Sequence, residues 1–201
     1  MSINMPNSAG SRGGTTVGNA WHGDPLRVRL SGRGGQGIIL SGVVVAEAAM
    51  LDGKFVVHTQ SYGPEARLGA SKSEGVVSRR EIAFPEVVLA DVLLCLSSDA
   101  HQKYGEQVAR GALSVIDDLV AEAGRTTGEV VLPLRRTARE LGNELSANMV
   151  GLGALIAIAG IVDPEHGRQA IRKWVKPEFR DVNLKAFERG MELGAACPVA
   201  P

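Results

Sequence analysis

The chain has 201 residues, 44% of them apolar and 22% charged, the make-up of one globular domain with a core of its own. Its 22 Lys and Arg balance 22 Asp and Glu, so nothing draws it generally toward nucleic acid or an anionic membrane. Aromatic residues, at 4%, are too sparse for a base-stacking surface.

Residues 1–18 are mostly Ser, Gly, Asn and Thr with one Arg, and lack the apolar core of a signal peptide. Residues 1–24 read as a flexible arm, ordered most easily by lying on a partner; residues 25–201 read as the domain. Leu26-Arg27-Val28-Arg29-Leu30 alternates apolar and basic, as a first strand does. A glycine-rich turn follows, then a helix over 38–51 with so little polar surface that it is expected to be buried on more than one side. Asp52-Gly53 ends it. Residues 54–59 form a second strand, 60–71 an irregular loop, 73–78 a third strand, and 91–96 a strongly apolar, buried strand. Ser97-Ser98-Asp99 offers N-caps for a helix through 109. Strands follow at 112–116 and 129–132. Helices are expected over 133–145, over 148–161 (apolar, rich in Gly and Ala), from Pro164 to about 174, and over 183–196. Strands alternating with helices predict a single-domain α/β layer fold, a largely parallel sheet flanked by helices, Rossmann-like. The most apolar stretch, 149–162, is too short to span a bilayer, so the chain reads as cytoplasmic.

The turn Gly32-Arg33-Gly34-Gly35-Gln36-Gly37 matches G-x-G-x-x-G between a strand and a helix. Glycine lets the backbone take positive φ and come close to a ligand, and a helix N-terminus presents free N–H groups to an anion. A dinucleotide site wants a carboxylate after the second strand to hold the ribose. That strand ends His58-Thr59-Gln60 instead, which opposes NAD. A tight turn with no ligand remains open. The loop 60–71 is denser in hydrogen-bonding side chains than a connector needs: Tyr62, Glu65 and Arg67 stand out, and Arg67 is of a kind to fork onto a carboxylate or phosphate. Ser61 and Ser71 have no His with a carboxylate orienter nearby in sequence, so a nucleophilic serine is rejected.

The two cysteines, Cys95 and Cys197, are too few for an iron–sulfur cluster, which takes about four. Cys95 lies in an apolar run and is expected to be a buried thiol. The four histidines, His22, His58, His101 and His166, show no ligand spacing, so no metal is expected on this chain. Arg135, Arg136 and Arg139 form a basic cluster, read as a solvated face or a docking surface. Asn148 reads as a helix cap ahead of small residues that allow close packing.

Three stretches together, Gly32-Arg33-Gly34-Gly35-Gln36-Gly37-Ile38-Ile39-Leu40, Gln60-Ser61-Tyr62-Gly63-Pro64-Glu65-Ala66-Arg67 and the Asn148-Met149 helix, resemble the gamma subunit of 2-oxoacid:ferredoxin oxidoreductases, over residues 26 to about 195. The second stretch looks most like the 2-oxoglutarate branch. The resemblance implies a subunit of a thiamine diphosphate-dependent complex that decarboxylates a 2-oxoacid oxidatively to an acyl-CoA and passes electrons to ferredoxin. Thiamine diphosphate, Mg and iron–sulfur clusters are then expected on partner chains: alpha and beta subunits and an iron–sulfur subunit. Gly34, Gly35, Gln36 and Gly37 are expected to help wall a shared coenzyme A site. Ser61, Tyr62, Glu65 and Arg67 are expected at the subunit interface beside it. No catalytic residue is expected on this chain. Leu68 stands where the family pattern has glycine. The alternative is a stand-alone CoA- or nucleotide-binding regulatory module, resting on the glycine turn alone.

Overall fold

The computed structural model describes residues 23–61, 69–121 and 129–197. Residues 1–22 of the expected arm and the loop residues Tyr62, Glu65, Arg67 and Leu68 lie outside them; Asp24, at the arm's end, is described and its Oδ1 accepts from the Arg79 N–H at 3.0 Å. Six strands form one sheet in the order β2-β3-β1-β4-β5-β6, with β1 at Leu26–Arg33, β2 at Phe55–Ser61, β3 at Ala70–Ser78, β4 at Ala90–Cys95, β5 at Val108–Asp117 and β6 at Glu129–Leu132. β1, β4, β5 and β6 pair in parallel, while β3 runs antiparallel to both β1 and β2. Five strands therefore point one way and β3 alone opposes them, which is the largely parallel sheet the sequence predicts.

The helices divide unequally between the two faces. On β4, Val92 and Leu94 turn to one face and Leu93 and Cys95 to the other, as the two-residue period of a strand requires. The first face packs against α1 (Ile38–Leu51), α4 (Leu134–Glu140), α5 (Ala147–Ala159), α6 (Pro164–Trp174) and α7 (Arg180–Ala195). Among the described residues, the second carries only α2 (Ser98–Tyr104) and α3 (Asp118–Ala121). A strand buried on both faces needs no polar alternation, and every residue of β4 is buried. All 13 residues of α5 are buried as well, because the helix lies between the sheet and α7. Small residues make that possible: a Cβ at Gly190 would fall 2.0 Å from the Val150 carbonyl oxygen. Among the described residues no helix is long and apolar enough to cross a membrane.

Four sequence expectations change. The loop expected over 60–71 is shorter, because β2 runs on to Ser61 and β3 starts at Ala70, with Gln60 opposite Ser73 and Ser61 opposite Lys72. Antiparallel pairing satisfies the backbone of these polar residues, so the strand outlasts its apolar pattern. The helix expected through 109 stops at Tyr104, and Val108 already belongs to β5. Gly111, at φ 77°, lies where the β4–β5 register shifts, a bulge that lets β5 begin early. The helix expected over 133–145 ends at Glu140, followed by Gly142 at φ 84° and a single 3-10 turn, Glu144–Ser146. Asn148 is no cap: it lies within the first turn of α5, and its side chain goes elsewhere.

Candidate functional site

The chain leaves β1 through α1 toward β2 on one face, and leaves β4 through α2 toward β5 on the other. Adjacent parallel strands whose connections depart in opposite directions open a crevice at their carboxyl ends, the usual ligand position in such sheets. The glycine turn lies in that crevice. β1 ends at Arg33, residues 34–36 turn, and Gly37 precedes the first turn of α1.

The four residues singled out in the turn play different parts. Gly35 and Gly37 have φ of 90° and 71°, angles that L side chains rarely adopt. Among the described residues nothing lies within 4 Å of a Cβ at Gly34 or Gly35. Gly37 is the reverse: a Cβ there would fall 2.4 Å from Asn148 Nδ2. The Gln36 side chain turns back on the chain. Its Oε1 accepts from the Arg33 N–H at 2.6 Å, and its Nε2 donates to the Leu96 carbonyl at 3.2 Å. It thereby braces the ends of β1 and β4 against each other. Among the described residues the N–H groups of Gly34, Gly35 and Gly37 have no partner, and the N–H groups opening α1 are free by helix geometry.

Around the turn stand two groups that motif reading passes over. Arg33 Nη2 donates to Asp99 Oδ2 at 2.7 Å, a pair about half exposed that ties the turn to the start of α2 across the crevice. Ser97 caps α2 by accepting from the Ala100 N–H at 3.3 Å. The signal for Arg33 was its place inside the glycine motif; Asp99 gave none beyond its capping position. Cys95, just below, is fully buried, and burial pushes its thiol up to about 11, which leaves it inert as a nucleophile.

The hairpin of β2 and β3 brings the second sequence feature to the same edge. In register, Gly32 lies opposite Ser71 and Arg33 opposite Ala70, and the Ser71 hydroxyl donates to the Gly32 carbonyl at 3.3 Å. Ser61, the last residue of β2, is exposed. Residues 62–68, among them Tyr62, Glu65 and Arg67, therefore connect strands that end beside the glycine turn.

The other candidates do not join this site. Arg135 Nε binds Asp117 at 2.9 Å, Arg136 binds Asp118 at 2.7 Å and Arg139 binds Glu144 at 3.1 Å, so the basic cluster is neutralised by partners on the chain itself. His58 Nε2 meets Ser73 Oγ at 2.7 Å beneath α1, and burial holds its pKa below the ordinary histidine value. His101 pairs with Glu129 and His166 with Asp52. Among the described residues no group of His, Cys, Asp or Glu is placed to hold a metal ion.

The family model described as "Pyruvate ferredoxin/flavodoxin oxidoreductase" matches residues 27–193. The chain belongs to that family, and within it is a gamma-type subunit of a 2-oxoacid:ferredoxin oxidoreductase. It is 45% identical to the 2-oxoglutarate synthase subunit KorC of Methanocaldococcus jannaschii, over 83% of this chain and 92% of that one. The gamma subunit of a keto/oxoacid ferredoxin oxidoreductase from Geobacter sulfurreducens superposes with a TM-score of 0.78 at 37% identity, covering 87% of this chain and 98% of that one. The 2-oxoglutarate:ferredoxin oxidoreductase of Magnetococcus marinus, solved with 2-oxoglutarate, coenzyme A and succinyl-CoA, shares the fold, with a TM-score of 0.78 at 24% identity. There the match covers 89% of this chain but 32% of the other, so the same fold is one part of a longer polypeptide.

Proposed function

We propose that the chain serves a cytoplasmic 2-oxoglutarate:ferredoxin oxidoreductase, and that its glycine turn forms part of the wall of a coenzyme A site completed by the alpha and beta subunits. The supporting observation is the position of Gly34 and Gly35: backbone with N–H groups unpartnered and uncrowded among the described residues, at the mouth of the crevice between β1 and β4. Backbone N–H groups and the positive end of α1 favour an anion there, and the phosphates of coenzyme A supply one. The KorC likeness supports 2-oxoglutarate as the oxoacid, and the ligands named for the Magnetococcus marinus enzyme support coenzyme A.

On this reading thiamine diphosphate with Mg, and iron–sulfur clusters, sit on the alpha, beta and iron–sulfur subunits, where they supply the decarboxylation and the passage of electrons to ferredoxin. The residues of this chain bind and exclude. Gly34 and Gly35 let the coenzyme approach the backbone. Gln36 keeps the crevice at fixed width, and Gly37 turns the chain into α1. Arg33, paired with Asp99 across the crevice, is a cation beside the turn that a phosphate could draw on. Ser61, Tyr62, Glu65 and Arg67 meet the partner subunits beside the coenzyme.

The test is assembly. The chain copurified with its partners is expected to oxidise 2-oxoglutarate with a low-potential acceptor only when CoA is present. Calorimetry on the isolated chain is expected to detect no tight CoA binding. Tight binding by the chain alone, or a monomer without partners or activity, would favour the stand-alone module.

A further inference from the structure

Asn148 is 3% exposed, in a helix otherwise built of Ala, Gly and large apolar residues. A buried amide is tolerated only where its hydrogen bonds are made. Here both ends are committed. Nδ2 donates to the Gly37 carbonyl at 3.0 Å, across 111 residues of sequence, and Oδ1 accepts from the Met149 N–H at 2.9 Å. The second bond fixes which way the amide faces, so the first is a directed donor. Gly37 and Asn148 fit each other: the space a Cβ would fill at 37 is the space the amide occupies.

The Gly37 carbonyl also accepts from the Ser41 N–H at 3.0 Å and from the Ser41 hydroxyl at 3.3 Å. Three donors on one oxygen fix its direction. Because the peptide is planar and trans, fixing that C=O also fixes the N–H of Ile38, which points the opposite way, out of the start of α1 toward the mouth of the crevice.

We infer that Asn148 is a positioning residue for the coenzyme-facing turn: its amide holds the Gly37 carbonyl and so aims the Ile38 N–H at the ligand. This rests on the reading of the turn as a coenzyme wall. It also explains why a polar residue stands where an apolar one would pack against the sheet.

Asn148→Asp and Asn148→Ala separate this role from a structural one. Aspartate keeps the shape but sets a buried carboxylate against the Gly37 carbonyl, whereas alanine only deletes the donor. In the assembled complex, Asn148→Asp is expected to raise KM for CoA by about tenfold and Asn148→Ala by about threefold, the loss of one directed hydrogen bond with and without repulsion. The KM for 2-oxoglutarate is expected to stay within about twofold in both, since the bond serves only the coenzyme side. Melting temperatures are expected to fall in both, with the aspartate complex the lower. If the two KM values rise together as the melting temperature falls, or KM for CoA moves in neither variant while Gly34→Val raises it, the inference falls and the coenzyme wall stands. If Gly34→Val leaves it unmoved, the coenzyme wall falls and the inference with it. Loss of assembly by both Asn148 variants would show a purely structural role and overturn the inference.

Discussion

Three arginines on β1 show how much a partner decides at the scale of a residue. Arg27, Arg29 and Arg33 all alternate out of the apolar row that packs on α1. Arg27 forks onto Asp91, with Nε at 2.8 Å and Nη2 at 2.7 Å. Arg33 reaches across the crevice to Asp99. Arg29 is buried, with 1% of its side chain exposed, where Nε binds Glu74 at 2.7 Å and the two terminal nitrogens reach the carbonyls of Gln107 and Val87 at 2.8 and 2.7 Å. Those carbonyls belong to the segments that lead into β4 and β5, so one guanidinium ties three parts of the chain together. Removing it takes the Nε donor from Glu74, which keeps Lys72, and leaves the buried Val87 carbonyl without its donor, while the Gln107 carbonyl keeps the Ala90 N–H. Arg29→Ala is therefore expected to lower unfolding stability by about 3–5 kcal/mol in urea, and Arg29→Met, which refills the volume, by clearly less. Equal losses would mean that the side chain's packing contributes nothing and that the charge network carries the whole effect. From the sequence the alternation read as a first strand. The strand is right, but the burial of Arg29 was not legible, because its partners stand 45 to 78 residues away and no local pattern announces them.

Among the elements, type was legible and ends were not. Long apolar runs fixed α1, β4 and α5, since nothing but burial accommodates them. The ends moved wherever tertiary pairing outweighed local preference: β2 and β3 lengthened along their shared ladder, and α2 stopped short so that β5 could start. Close packing of α5 on α7 was foreshadowed by the small residues of α5, but the glycines that face it on α7 were not. Gly190 sits against the backbone of Val150, with the position of a Cβ also 3.0 Å from the Ala154 nitrogen. Backbone cannot swing aside as a side-chain tip can. Gly190→Ala is expected to force the two helices apart and to cost about 1–3 kcal/mol, read as a drop in melting temperature, whereas Gly142→Ala, with nothing within 4 Å but a φ of 84°, is expected to cost less. A smaller loss at 190 than at 142 would mean that α7 yields easily and that the contact is not tight.

For the whole molecule, the site follows from topology. The glycine motif alone suggested an anion cradle, and the absence of a carboxylate after β2 removed the dinucleotide reading. What local sequence could not give was adjacency. The sheet order sets β3 beside β1, and this brings the strand ends of the hairpin next to the turn. It also divides the four turn residues: among the described residues nothing crowds Gly34 and Gly35, while Gln36 and Gly37 are engaged by the protein itself.

The division within the turn selects the decisive substitution. Gly35→Val would strain a φ of 90°, so a defect there would mix folding with binding. Gly34 lacks a positive φ, and among the described residues no atom lies within 4 Å of a Cβ there. Valine at 34 is thus compatible with the described fold and is the cleaner obstruction to what approaches the turn. The steady-state kinetics of the Gly34→Val complex are the direct measurement. A coenzyme wall requires KM for CoA to rise by about tenfold or more with KM for 2-oxoglutarate unchanged, because one side chain blocks close backbone approach on the coenzyme side alone. An unchanged KM for CoA, or an equal rise for both substrates, would contradict it.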